Sequence, residues 1–465
     1  MTRKESDSLL RNLTQDLVIE GIDRYVSRDF LQRKVEENGV QEERGRKLGA
    51  VLMIYLILYG CLFRDSNRGE VLKKLIEGYQ IRGWRISMKS MASACALSKA
   101  QKRLGLRVMK RTYEALAETD RGGCEESFYQ GMPLRAYDGS CFNLEDSEEN
   151  RRVYGKPSSS GKVDSAWPQL KLLMQVDVGT RQPIQVVFGG YRKSEQAMFE
   201  RLLKIARSGD LNLIDRGLAH TKYLRLIQER GGHFLAHMKI GQKIEVVETF
   251  KDGSYLGQLK DPETRQELLV RVIEYRIDNS QRGDAGEVHR LVTDLRDERT
   301  YPALELIELY HERWEIEISF DELKTHLFKR PTTQSFFRSK RKEGVVQELY
   351  GLLIVYRVIR SMMQEAADKY ALAPRQLSFT NCVHILRRGV VRMQAARSEQ
   401  LPGFYEDILD EMAATLLPER DNRINPRVIK KPYPKFSCKR LRHFQLPKLK
   451  TTFRQDIRMV RLCLS

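Results

Sequence analysis

Apolar positions recur every three or four residues through the first part of the chain, and there it reads as helix. The pattern runs through residues 17–31, 48–63, 71–79 and 104–116, the spacing that places apolar side chains on one helical face. No run in this region alternates with a period of two, so residues 1–130 read as a separate helical domain. The stretch 48–63, LGAVLMIYLILYGCLF, carries no charge. It is short for a bilayer span, which needs about 20 apolar residues, and charges flank it on both sides. A buried core helix is the better reading.

The pattern changes after Gly131. Residues 135–144 (RAYDGSCFNL), 170–178 (LKLLMQVDV) and 183–188 (PIQVVF) read as strands, with a turn at 180–182. Ser194 stands where an N-cap would open a helix running to Ala206, and Gly209 would end it. Residues 211–215 (LNLID) form a short apolar strand ending in a carboxylate, followed by a helix over 220–230 and a strand over 233–238. Three strands, a helix, a strand, a helix and a strand make a mixed α/β layer.

Between 241 and 295 the alternation differs. Asp252-Gly253 is a strong hairpin-turn signal between candidate strands at 244–250 and 255–259, and further strands are expected at 268–277 and 289–295. This segment reads as an all-β insertion. A long helix from about residue 302 and another over 344–363 follow, then a helical and finally basic region. The expected organisation is an N-terminal helical domain (1–130), an α/β core (131–240 and 296–365), a β insertion (241–295) and a C-terminal region (366–465).

The helix expected from residue 302 carries candidate chemistry. Residues 310–324 read YHERWEIEISFDELK, with the spacing Y-x2-R-x3-E-x6-K. On one continuous helix, at about 100° per residue, Tyr310, Arg313, Glu317 and Lys324 fall within roughly 60° of one another. That face offers a carboxylate flanked by two cations and an aromatic ring. The neighbouring face, with Leu309, Ile316, Phe320 and Leu323, can pack on a core. Glu312, Glu315, Asp321 and Glu322 crowd around the stripe and read as a solvated face.

Two upstream carboxylates extend this picture. Asp138 lies on the first expected strand, in Y-D-G-S, and Asp215 ends the fourth, in I-D-R-G. Adjacent strands of one sheet can place two such groups side by side, with Glu317 as a third. Hard oxygen ligands from separate elements suit Mg²⁺ or Mn²⁺. Two such ions can activate a water or a 3′-hydroxyl and stabilise the leaving oxygen of a phosphodiester. Taken singly, each residue also fits a turn, cap or solvated position. The segment GKPSSSGK over 155–162 resembles a phosphate-binding Walker loop, but it has five residues between its glycines and Val163 where Ser or Thr is required; it reads as a polar loop.

Charge narrows the class of partner. Lys and Arg number 81 against 62 Asp and Glu, a net charge of +19, which points to a polyanion such as nucleic acid. At 465 residues the chain is expected to hold two to four domains. The seven cysteines include no C-x-x-C pair and the eight histidines have no finger spacing, against a zinc module or disulfide frame and in favour of a reducing compartment. The start, MTRKESDSLLRNL, has no long apolar run, so no signal peptide is expected.

These residues resemble the insertion-sequence-four family of DDE transposases. The chain matches all four letters of the family's Y-x2-R-x3-E-x6-K signature. Asp138-Gly139-Ser140 matches its D-G-(S/T) context, and Asp215-Arg216-Gly217 its D-R-G, with Leu218 in place of the usual aromatic. FRDSNRGEVLKKL, SKAQKRLG, RSKRKEGVVQELYGLLIVYR and RINPRVIKK are further similar segments. The resemblance covers about residues 45 to 435. It implies an RNase H-like core with a β insertion before the glutamate, metal-dependent hydrolysis at transposon ends, and strand transfer into target DNA. Several family members pass through a hairpinned end with a flipped base. By that resemblance Asp138, Asp215 and Glu317 are the catalytic metal ligands for Mg²⁺ or Mn²⁺, expected as two ions. Tyr310, Arg313 and Lys324 hold DNA phosphate near the cut end. The partners are double-stranded DNA, both transposon ends and target, and a second protomer in a homodimeric DNA complex; no membrane is involved. The expected location is the cytoplasm, on the nucleoid. Trp314 and Trp167 read as buried tryptophans before base-stacking ones.

From Arg423 onward Lys and Arg are opposed only by Asp456 and interleaved with Tyr433, Phe436, Phe444 and Phe453, a composition suited to tracking phosphate. The run RSKRK at 338–342 is a second basic patch. Specific end recognition falls to the helical N-terminal domain. Two other functions fit the same residues: a non-catalytic DNA-binding relative, and a metal-dependent nuclease that cuts without joining.

Overall fold

The computed structural model describes residues 22–41, 48–81, 92–119, 123–157, 167–262, 264–279, 286–328, 337–418 and 451–459. Most of the Walker-like loop and of the basic tail lies outside the described residues. The chain divides into two compact units. One comprises residues 1–128, 138–202 and 315–417; the other comprises 129–137, 203–314 and 418–465.

In chain order the elements of the first unit begin with helices α1 (Arg28–Glu37), α2 (Ala50–Leu62), α3 (Arg68–Ile81), α4 (Ala94–Leu104) and α5 (Arg107–Thr119). The short β1 (Phe128–Tyr129) precedes the long strand β2 (Met132–Asn143), whose second half belongs to this unit. Helix α6 (Glu148–Tyr154), strands β3 (Gln169–Asp177) and β4 (Pro183–Gly190), and helix α7 (Glu195–Leu203) follow. Strands β3 and β4 pair antiparallel, and β3 lies between β4 and β2. Ser194 caps α7 as expected, with Ala197 N donating to its hydroxyl at 3.5 Å.

Helix α2 is the uncharged stretch 48–63, and its side chains are buried nearly all round. It is a core helix, and no helix among the described residues is long and apolar enough to cross a membrane. The N-terminal helices also reach the strands of this unit: Tyr113 on α5 donates to the Pro183 carbonyl at 3.0 Å. Cys61, Cys95, Cys124, Cys141 and Cys382 are free thiols.

The second unit contains the first half of β2, then β5 (Leu211–Ile214), helix α8 (Thr221–Glu229) and β6 (His233–Met238). Strands β2, β5 and β6 pair parallel. The insertion supplies β7 (Glu245–Thr249), β8 (Tyr255–Lys260), β9 (Glu267–Ile277) and β10 (Val288–Thr293), all antiparallel, with β10 joined to β6. The antiparallel β3–β4 pair of the first unit and the parallel β2–β5–β6 strands of the second are of the mixed α/β type expected.

The insertion's hairpin has a second use. Gly253 sits at φ +87°, where a side chain would strain the backbone. Asp252 beside it pairs with the fully buried Arg271 and accepts from Ala303 N at 3.1 Å, at the start of helix α9 (Ala303–His311). Arg271 also donates to Ser254 Oγ (2.8 Å) and to the Tyr301 carbonyl (2.6 Å). One buried guanidinium thus ties the hairpin to the helix that leads into the signature.

The expected long helix is not continuous. Helix α9 ends at His311, a 3₁₀ turn spans Glu312–Trp314, α10 covers Glu315–Asp321, and a π-helical turn covers Glu322–Leu327. Apolar periodicity specifies a helix but not which backbone group closes each ring, and three helix types share this pattern. The 100° per residue of one continuous α-helix therefore does not apply along the whole stretch. Helices α11 (Lys342–Lys369), α12 (Phe379–Ala395) and α13 (Leu401–Ala413) complete the first unit. The last described segment, α14 (Phe453–Asp456) and β11 (Ile457–Met459), pairs with β9.

Candidate active site

Asp138 lies on β2 where the strand enters the first unit, half-buried, with Gly139 N donating to its Oδ1 at 2.7 Å. Gly139 leaves room for a neighbour: a Cβ there would collide with the Glu195 carboxylate from the start of α7. A side chain at this position of the D-G-S sequence would therefore make the Glu195 carboxylate move. Ser140 accepts from Lys324 Nζ at 2.9 Å, and that ammonium lies 5.6 Å from the centre of the Phe142 ring. Lys324 is therefore held along the same strand edge as Asp138. Glu317, on α10 of this unit, is half-buried.

The second unit holds the other signature residues. Asp215 follows β5 directly, half-exposed, with Arg313 Nη2 3.8 Å from its Oδ1. Arg313 itself is buried at 8% exposure. The Tyr310 hydroxyl donates to the Ile214 carbonyl at 3.3 Å, one residue before Asp215. The Tyr310 ring stacks on His237 of β6, with centroids 5.9 Å apart and planes 30° from parallel. Leu218, where the family carries an aromatic, is buried at 6% exposure and fills its packing position.

Burial pushes the Tyr310 hydroxyl well above its ordinary value, so it stays protonated. Burial, followed by the nearby His289 and Arg216, pushes His237 down to about 4. The ring is therefore neutral near pH 7, as suits a partner stacked beneath Tyr310. Unfolded chains bind this proton below about pH 6.5 while the folded protein does not. Stability is expected to be full above pH 6.5 and to fall as the pH drops toward 4. The loss is about 2 kcal/mol after allowing for partial exposure. Urea unfolding at pH 7 and 4.5, native against His237→Gln, checks this: the variant should lose that share of the slope.

Glu322 is buried at 5% exposure, not solvated, and Glu315 pairs with the buried Arg181. Their partners come from distant segments, so no local pattern marks them. Trp314, in the 3₁₀ turn, is 40% exposed rather than buried, and Arg313 lies 5.9 Å from its ring.

The transposase DDE family implies a divalent cation in general. The donor chemistry fits: Asp138, Asp215 and Glu317 are hard oxygen ligands, none fully buried. Among the described residues, no group of three or more His, Cys, Asp or Glu side chains stands ready to hold a metal ion.

Residues 129–358 match the model of the transposase DDE domain, and residues 17–114 match that of the insertion element 4 transposase N-terminal domain. The chain belongs to the insertion-sequence-four family of DDE transposases. It is 26% identical to the Escherichia coli transposase InsG for insertion sequence element IS4, over 87% of this chain and 90% of that protein. It is also 21% identical to the transposase for insertion sequence element IS231F of Bacillus thuringiensis, over 74% of this chain and 79% of the relative. A solved piggyBac transposase synaptic complex with hairpin DNA aligns at TM-score 0.40 and 10% identity, covering 86% of this chain and 85% of its own. This transposase is thus an enzyme that cuts and transfers DNA strands, its family implies a divalent metal, and its partner is DNA.

Proposed function

We propose that the transposase moves an insertion sequence by metal-dependent cleavage at the element's two ends and joining of the freed strands to target DNA. The observation that carries this reading is the placement of the signature cations beside the family aspartates: Lys324 on Ser140, two residues from Asp138, and Arg313 on Asp215. Asp138, Asp215 and Glu317 would hold Mg²⁺ or Mn²⁺, as two ions. When bound, such ions supply a water or 3′-hydroxyl nucleophile and stabilise the leaving oxygen. Arg313 grips a phosphate through its planar fork, and Lys324 adds a point charge that follows the phosphate as negative charge grows on it. Tyr310 keeps Arg313 from swinging away by packing against its guanidinium, 5.9 Å from ring centre.

Two ends need two active sites, so the working form is a homodimer on DNA. The helical N-terminal domain reads the end sequence, and the basic C-terminal stretch tracks phosphate. The location is the cytoplasm, on the nucleoid.

Purified full-length protein should be mixed with duplexes carrying the genomic sequences that flank its coding region. With Mg²⁺ it is expected to cut at the repeat boundary and join the cut end to a plasmid, and a chelator should abolish both. Binding without metal-dependent cutting would leave a non-catalytic relative. Cutting without joining of a pre-cut end would leave a nuclease.

A further inference from the structure

Between Glu317 and Lys324 the helix widens into its π turn, where Phe328 N donates to the Leu323 carbonyl at 2.9 Å across five residues. Each π ring contains one more residue than an α ring, so Lys324 is rotated from the position that α geometry would assign it. Such turns are rare and need side-chain support. Glu322 opens this one, fully enclosed, with its carboxylate shared among three donors. Arg181 Nη1 reaches Oε1 at 2.9 Å, the Tyr356 hydroxyl reaches Oε2 at 2.8 Å, and Arg360 pairs with Oε2.

Arg181 does more than neutralise Glu322. It also pairs with Glu315 at the start of α10. One guanidinium therefore grips the segment two residues before Glu317 and five residues after it. Arg181 itself sits at φ +58° in the β3–β4 turn, a strained setting for a side-chain-bearing residue. That turn is fixed by Asp177, whose Oδ1 accepts from Thr180 N, Thr180 Oγ1 and Ser127 Oγ at 2.9, 2.9 and 2.6 Å. On the other side Arg360, fully buried on α11, lies 5.4 Å from the Phe379 ring. The segment is thus tied to the β3–β4 turn at both ends through Arg181 and to α11 at Glu322 through Arg360.

A buried ion cluster is weak evidence for stability, since apolar side chains of similar volume often hold a fold as well or better. We propose that Arg181, Glu322 and Arg360 form a clamp that orients Glu317 and Lys324 for strand cleavage. They are positioning residues, and the inference rests on the roles given to Glu317 and Lys324 above.

The test compares Glu322→Gln and the apolar triple Arg181→Met, Glu322→Leu, Arg360→Met with the native full-length protein. Melting temperature, affinity for an end duplex and single-turnover cleavage in Mg²⁺ are measured for each. The triple variant is expected to melt cooperatively and close to the native temperature, since only Glu315 is parted from a cation, and to bind the duplex equally. Its cleavage rate should fall by about a hundredfold, the effect of a small misplacement of catalytic groups; Glu322→Gln should fall between. Loss of rate at unchanged affinity separates positioning from binding. A folded triple variant that cleaves at the native rate would overturn the clamp. Should the triple variant fail to melt cooperatively, a folded Glu322→Gln protein with the native rate overturns it instead. Glu317→Ala run alongside keeps the two readings apart: native cleavage there removes Glu317 from the site, and the clamp's purpose with it.

Discussion

Glu317→Ala is expected to remove DNA cleavage and to leave the protein folded. In the proposed site, deleting a metal ligand would take away transition-state stabilisation on the order of 4 kcal/mol, or about a thousandfold in rate. The folded state loses far less. Glu317 is half-buried on α10, while its neighbours Ile316 and Phe320 carry the packing at 0% and 5% exposure. Substitutions at such positions cost about 0.5 kcal/mol. Single-turnover cleavage of an end duplex, read beside a melting curve, separates the two effects. A folded Glu317→Ala protein with the native cleavage rate would mean that another carboxylate does this work, and Glu195, against Gly139 beside Asp138, would be the next to change.

Arg360→Ala should have the largest effect on stability, a loss of about 3–5 kcal/mol at pH 7. Removing one partner of a buried pair leaves the other charge without its compensation, and Arg181 alone then faces the Glu322 carboxylate. The sign with pH follows from the native site. Burial pushes the Glu322 carboxyl up, but Arg360 and Arg181 outweigh it and hold the group below its ordinary value of 4.5. Its stabilising contribution is therefore full above about pH 4.5 and is lost as the pH falls through the lower folded value. Without Arg360 the carboxyl titrates higher, so the gap between variant and native is widest near neutrality and closes in acid. Urea unfolding of both proteins at pH 7 and pH 4 measures this, and a loss below about 1 kcal/mol at pH 7 would contradict it. The apolar triple variant should lose less, because Glu322 leaves together with both buried cations and only the Glu315 carboxylate, 14% exposed, is parted from Arg181.

Much of the fold is legible in local patterns. The alternation in β3 and β4, the turn between them, the Ser194 cap and the Asp252-Gly253 hairpin are all found at their expected positions. Each depends on residues within a few positions of one another, where periodicity and turn chemistry act directly. The buried α2 was legible for the same reason. The spacing Y-x2-R-x3-E-x6-K picks out the proposed site residues, and residue type suggests their chemistry.

Glu322 shows where that kind of reading stops. A carboxylate among Glu312, Glu315 and Asp321 scores as solvent-facing, since charged residues are buried only when paired. Its partners lie 141 and 38 residues away, and only the packed chain brings them to it. The break of the signature into α, 3₁₀, α and π segments has the same origin. Those forms differ by one or two residues in ring closure, a small local difference that distant contacts decide.

The sequence by itself determined the family, the basic character, the type of nearly every element and the six residues proposed to meet metal and DNA. Tertiary structure alone decided which helix type carries each of them, that Lys324 rests on Ser140 and Arg313 on Asp215, and that Glu322 is an enclosed ion rather than a solvated one. Local propensity acts over a few residues. A buried charge is stable only where opposite charges from remote segments converge on it, and that convergence exists only once the chain has folded.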